Sequence, residues 1–139
     1  MTAFWFLAAV LVCLAISTRR VFHRGRICRT LRGELVKSQA EKRIADWLYL
    51  NHIEYRYEPL VYIAAGFLSR RTLARPDFYL PRFGAYIEYW GLVNFAGYRK
   101  RMMRKLAHYH ERGLRVVSLY PSDMKNLPEN LSRKLEEAH

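Results

Sequence analysis

Two short runs of alternating side chains, Arg75–Leu80 and Ala85–Trp90, flank Pro81-Arg82-Phe83-Gly84, a stretch with the chemistry of a tight turn. In a strand, successive side chains point to opposite faces. Arg75, Asp77 and Tyr79 therefore share one face of the first run, with Pro76, Phe78 and Leu80 on the other. In the second run Tyr86, Glu88 and Trp90 lie opposite Ala85, Ile87 and Tyr89. A hairpin closed at residues 81–84 brings Asp77 and Glu88 together across the pair. This constrains the fold more than any other feature, because it places two carboxylates side by side at the open end of two strands.

The surrounding pattern predicts helices packed on a small sheet. Ser38 opens a helical run in which Ala40, Glu41, Ile44, Ala45 and Leu48 recur at spacings of three and four, ending at Asn51-His52. Tyr55–Tyr62 has strand composition, with Pro59 marking an edge or a break. Residues 63–73 read as a loop containing Gly66 and the Arg70-Arg71 pair, and residues 91–97 as irregular. A helix is expected over Tyr98–Arg112, stopped by Gly113, then a strand over Arg115–Tyr120 closed by Pro121. A short turn near Ser122–Asn126 leads to a last helix over Glu129–Ala138. The order is helix, three strands, helix, strand, helix, which predicts an α/β sandwich on a small mixed sheet, in one domain over residues 37–139.

Ahead of that domain, Ala3–Ile16 is an unbroken apolar run, and residues 1–18 as a helix would span about 27 Å against a hydrocarbon core of about 30 Å. No Lys or Arg precedes the run, whereas Arg19, Arg20, Arg24, Arg26, Arg29 and Arg32 follow it without an intervening acid. A cleaved signal peptide would carry its positive charge before the apolar stretch. The expectation is a single-pass anchor over residues 1–18 and a basic, partly helical linker over 19–36. The linker would touch lipid headgroups, and the C-terminal domain would lie in the cytoplasm. Cys13 and Cys28 make neither a disulfide framework nor a metal-ligand spacing. Of the net charge of +12, from 24 Lys+Arg and 12 Asp+Glu, half belongs to these six arginines. The other half belongs to the domain, so a polyanionic partner is expected: nucleic acid or an anionic membrane face.

Four positions are candidates for chemistry: Glu41, Asp77, Glu88 and Lys105. Adjacent carboxylates repel unless a cation lies between them, and a hard divalent ion supplies one. Solvated carboxylates on an exposed sheet face are the competing account of Asp77 and Glu88. Ser38-Gln39-Ala40-Glu41 fits a capping box, yet Glu41 also shares the helix face of Ile44, Ala45 and Leu48 that turns toward the sheet. The helix over 98–112 carries Arg99, Lys100, Arg101, Arg104, Lys105 and Arg112 against the single acid Glu111. Tyr98, Met102, Lys105 and Tyr109 form one stripe on it. Most of the arginines lie elsewhere, as a solvated face or as phosphate contacts; Tyr98, Arg101 and Arg104 are the nucleic-acid-binding candidates. Lys105 is set apart by sharing its stripe with apolar and aromatic residues. No P-loop, GxGxxG or GxSxG motif is present, and the histidines lack zinc-ligand spacing.

The run Arg75-Pro76-Asp77-Phe78-Tyr79-Leu80-Pro81, followed by Tyr86-Ile87-Glu88-Tyr89-Trp90-Gly91, resembles the paired motif of the PD-(D/E)XK, restriction-endonuclease-like nucleases. The helices carrying Glu41 and Lys105 match in order and spacing, so the resemblance covers about residues 37–136. It implies an αβββαβ core with the site at the splayed end of the central hairpin. It also implies Mg²⁺ or Mn²⁺ held by Asp77 and Glu88 with help from the Tyr89 carbonyl, Glu41 completing the acidic cluster directly or through water, and DNA as substrate. Nucleases of this fold act as homodimers or in larger assemblies. One position departs from the pattern: the lysine expected two residues after Glu88 is Trp90. In parts of the family that lysine moves to the following helix, where Lys105 would sit.

Three readings follow. The first is a membrane-tethered, metal-dependent nuclease that hydrolyses DNA, with Asp77, Glu88 and Glu41 at the metal and Lys105 offsetting charge. The second is a catalytically inactive nucleic-acid-binding module of the same fold. The third is a membrane-anchored interaction protein whose charges serve lipid contact and topology only.

Overall fold

The computed structural model describes residues 27–64 and 70–138. The expected anchor over 1–18 and the linker as far as residue 26 lie outside these. No helix among the described residues is long and apolar enough to cross a membrane.

The first described elements are two short antiparallel strands, β1 (Cys28–Arg29) and β2 (Leu35–Val36), in a stretch expected to be a partly helical linker. Cys28, Thr30 and Val36 turn inward and are buried, while Arg29 and Leu35 turn outward. Helix α1 (Gln39–Leu50) follows. Ser38 caps it in extended conformation, accepting the Glu41 N–H on its hydroxyl at 3.1 Å, a contact that contributes about 1 kcal/mol. Ile44, Ala45 and Leu48 are fully buried on one stripe. Asn51 ends the helix and His52 takes a left-handed turn at φ 55°.

The strand expected over Tyr55–Tyr62 is two strands. β3 (Arg56–Tyr57) stops at Glu58, whose φ of 44° is left-handed, and Pro59 follows; β4 (Val61–Ala64) then departs from the main sheet. β4 pairs with β5 (Arg70–Ala74) as a separate two-stranded ribbon. Residues 63–73, expected as loop, thus contain most of a hairpin. Its pairing joins segments that carry no alternation of their own, so no local pattern announces it.

β6 (Phe78–Leu80) and β7 (Ala85–Tyr89) form the predicted hairpin around a 3₁₀ turn at Pro81–Phe83. Gly84 closes the turn in left-handed conformation, φ 56°. The register pairs Phe78 with Ile87, Tyr79 with Tyr86 and Leu80 with Ala85. Helix α2 (Ala96–Glu111) carries the chain back to β8 (Arg115–Leu119), parallel to β7, and α3 (Leu127–Glu137) ends the described chain. α2 begins two residues before the expected start, and the short turn ahead of α3 is a 3₁₀ turn over Asp123–Asn126.

The main sheet has the order β3-β6-β7-β8, antiparallel except for the last pair. One face, bearing Phe78, Leu80, Ile87 and Leu119, packs on Ile44 and Leu48 of α1 and on Leu131 of α3. These seven side chains are fully buried, each contributing about 1.5–3 kcal/mol by removal from water. The opposite face meets α2, where the Tyr86 and Tyr109 rings stack at 6.5 Å and 10°. The fold is therefore mixed α/β, a small mixed sheet flanked by three α-helices, as expected from the sequence.

Candidate active site

The β6–β7 register places Asp77 beside Glu88 at the open end of the hairpin, next to the Phe78–Ile87 pair. Tyr89 ties them. Trp90 N–H donates to the Leu119 carbonyl at 2.8 Å, which holds β7 to β8. The Tyr89 N–H points the other way and donates to Asp77 Oδ2 at 2.7 Å. Asp77 also accepts the Glu58 N–H on its backbone carbonyl at 2.8 Å, so the residue is fixed from both neighbouring strands.

Glu88 is 3 % exposed and faces α2. Its Oε1 accepts from the Tyr109 hydroxyl at 2.5 Å and forms an ion pair with the Lys105 ammonium. Lys105 also donates to the Arg75 carbonyl at 3.2 Å and lies 5.7 Å from the Trp90 ring centre and 5.8 Å from that of Tyr109. The Trp90 indole donates to Ser118 Oγ at 3.0 Å and meets the Tyr98 ring edge-on. An aromatic wall therefore fills the position two residues after Glu88, and the positive charge arrives from the next helix.

Asp77, Glu88, Tyr89, Trp90 and Lys105 line a cleft of about 560 Å³ together with Lys37, Ser38, Glu41, Glu58, Tyr98 and Arg101. Glu41 comes from the other side of the sheet, at the first turn of α1. Both its oxygens are engaged: Oε1 accepts from Ser38 Oγ at 2.8 Å, and Oε2 from the Lys37 N–H at 2.9 Å and the Tyr57 hydroxyl at 2.5 Å. The capping box closes one residue further out than usual, on the Lys37 amide rather than on that of Ser38. Of the residues expected to bind nucleic acid, Tyr98 and Arg101 line the cleft and lie 5.7 Å apart in a cation–π contact. Arg104 is exposed and lies outside it.

Electrostatically the site favours uptake of positive charge. Burial, and then the neighbouring charge of Glu88, push Asp77 up to about 7, against the opposing pull of the Tyr89 N–H. Burial also raises Glu88, with Lys105 and Tyr109 pulling it down. Burial and the nearby carboxylates hold the hydroxyls of Tyr57 and Tyr109 protonated. Each is therefore a fixed donor to Glu41 or Glu88.

Among the described residues no three His, Cys, Asp or Glu side chains converge as a metal cage. Glu41 shares the cleft with Asp77 and Glu88, its two oxygens already accepting from Ser38, Lys37 and Tyr57. The pair still fits a hard divalent ion. Mg²⁺ retains most of its waters and is held by one or two carboxylates together with substrate phosphate. Asp77 Oδ1 and Glu88 Oε2 accept no hydrogen bond among the described residues, so one oxygen of each carboxylate is available.

Three contributors were not singled out from the sequence. Tyr109 was visible only as a member of the Lys105 stripe, one helical turn on. Tyr57 ends a strand two residues long, too short to show alternation, and Glu58 follows it in left-handed conformation. Compared with models of protein families, with curated proteins and with solved structures, the chain shows no significant match.

Proposed function

We propose that this chain is a membrane-tethered, metal-dependent nuclease that hydrolyses DNA phosphodiester bonds, with the restriction-endonuclease-like arrangement its sequence resembles. The observation that carries the reading is the adjacency of Asp77 and Glu88, with a lysine from the following helix on the same carboxylate. Asp77 and Glu88 would hold the metal, through the two oxygens that other groups leave open, and a divalent ion held there would supply Lewis-acid polarisation of the phosphodiester and a more acidic water. Lys105 sits beside that position and offsets part of the negative charge that develops on the phosphoryl oxygens. Glu41 deepens the negative potential at Asp77 and is held in place by Ser38 and Tyr57. Tyr98 and Arg101 form one wall of the cleft, offering a stacking ring and a phosphate contact. The tether is the apolar run 1–18 with the arginines after it, which places the domain on the cytoplasmic side.

A second reading, a catalytically inactive module that binds nucleic acid, draws on two observations. Trp90 replaces the lysine of the resembled motif, and Lys105 already neutralises Glu88 without a metal. Cleavage of plasmid and oligonucleotide DNA by the full chain, in Mg²⁺, Mn²⁺ or EDTA, separates the two. Metal-dependent cutting that disappears in Asp77→Ala, Glu88→Ala and Lys105→Ala supports the nuclease. Salt-sensitive DNA binding without cutting in either metal overturns it in favour of the inactive module.

A further inference from the structure

The β1–β2 hairpin has an inner face that is buried and an outer face that is not. Cys28, Thr30 and Val36 are at most 6 % exposed, whereas Ile27, Leu31 and Leu35 are 69 %, 56 % and 55 % exposed. These three are apolar residues on the outward parity of a polar-out position. Leu31 at the tip is held in place, its N–H donating to Asp46 Oδ1 of α1 at 2.7 Å. One helical turn beyond Asp46, Leu50 is also 64 % exposed. Ile27, Leu31 and Leu35 are thus exposed on the outward side of the hairpin, as is Arg29. Single exposed apolar residues need no explanation, but a cluster held in position marks an interaction surface.

The sequence points to what covers it. Ile27 follows the apolar run 3–16 by only eleven positions, and those intervening residues carry Arg19, Arg20, Arg24 and Arg26 with no acid. Exposed apolar residues that follow a basic stretch of chain are the chemistry that seats in the headgroup region of an anionic bilayer. We infer that the outer face of the hairpin, Ile27, Leu31 and Leu35 with Arg29, docks on the bilayer surface. This inference rests on the membrane tether proposed above. It goes beyond the tether in giving the domain a fixed orientation. β2 ends at Val36, and the next residue, Lys37, lines the cleft, so a docked hairpin sets the height of the cleft above the lipid.

The test uses the full chain, with Cys13→Ser, reconstituted in phosphatidylcholine vesicles containing phosphatidylserine. Spin labels are placed singly at Leu31→Cys, Leu35→Cys and, on exposed α2, Glu111→Cys. Collision with oxygen, which concentrates in lipid, is compared with collision with a water-soluble nickel chelate. Docking predicts an oxygen-to-nickel accessibility ratio several-fold higher at residues 31 and 35 than at 111. Equal nickel accessibility at all three positions, in protein that floats with the vesicles, overturns the docking and leaves the tether standing. Exclusion of both reagents at residues 31 and 35 also overturns it, since the face is then covered by protein, either the chain's own N-terminal segment or a second copy. Failure of the full chain to float with vesicles overturns tether and docking together.

Discussion

The Lys105 ammonium and the Glu88 carboxylate meet across the α2–sheet interface, and Trp90, two residues beyond Glu88, lies face to that ammonium at 5.7 Å. The strand position where the resembled motif expects a lysine holds a ring, and the positive charge reaches Glu88 from the following helix. If the cleft is the proposed metal site, a cation supplied from α2 should serve there as one supplied from the strand would.

Removing that cation should separate stability from chemistry. Lys105→Ala leaves Glu88 buried with only the Tyr109 hydroxyl, and loss of one partner of a buried pair costs about 3–5 kcal/mol. Lys105 is itself 30 % exposed, so the lower end of that range is expected in urea unfolding. Cleavage by the full chain should fall by about 10²–10³, the effect of removing one charge-stabilising donor. Adding Trp90→Lys to Lys105→Ala should restore part of the cutting while lowering stability further, because the indole packing and its Ser118 bond are lost. A double variant as inactive as the single one would show that the cation must come from α2.

Asp77 should destabilise the metal-free protein as pH rises. Its folded value of about 7 lies above the ordinary 3.8, so the unfolded chain releases this proton first. Below about pH 4 both states hold the proton and no penalty exists. Between the two values the folded state loses about 1.4 kcal/mol per unit, and the loss is complete once pH passes the folded value. Asp77→Asn keeps an acceptor for the Tyr89 N–H and removes the charge. In EDTA at pH 8 the variant should melt above wild type, by about 4–8 °C for each kcal/mol relieved, with the gap closing near pH 4. Mg²⁺ should raise the wild-type melting temperature and leave Asp77→Asn unmoved. Equal melting of the two proteins at pH 8 in EDTA would count against the raised carboxylate.

How far the sequence foretold this arrangement depends on the range of the contact involved. The Asp77–Glu88 adjacency was legible because a period of two and a four-residue turn leave one register. The cap at Ser38 was legible because its partner is three residues away, and Lys105 because a helical stripe sets its direction. The β4–β5 ribbon was not, since its two halves find their order only in each other. Glu58 was missed for a related reason: composition joined residues 55–62 into one strand, and a left-handed backbone at a single position divides them. The β1–β2 hairpin was hidden by its arginines, which read as linker, and by leucines turned outward where alternation would place polar residues.

Tyr109 should matter through its hydroxyl more than through its ring. The ring is 1 % exposed and stacked on Tyr86, and Tyr109→Phe preserves that packing. The lost hydrogen bond goes to a charged, buried carboxylate, a class that contributes about 1.5–3 kcal/mol. Thermal or urea unfolding should show a loss in that range. Because Lys105 still holds Glu88, cutting should fall by less than it does in Lys105→Ala. Tyr109→Ala, which also empties the ring site, should cost about 3–5 kcal/mol. A Tyr109→Phe protein as stable as wild type would mean that Lys105 alone satisfies Glu88.

Arg101 and Arg104 lie three residues apart on α2, yet only Arg101 lines the cleft. If nucleic acid lies along that cleft, their effects on binding should differ in kind. Arg101→Ala removes a phosphate contact, so the slope of log affinity against log salt should fall by about 0.9 for duplex DNA, or about 0.7 for a single strand. Arg104→Ala removes only a charge on the solvated face, and should change both affinity and slope by less than Arg101→Ala does. Titrations of a labelled oligonucleotide over a range of salt, performed in EDTA to prevent cutting, measure both quantities. Equal slopes for the two variants would place the nucleic acid along the exposed face of α2 instead, with the cleft reached only by the scissile phosphate.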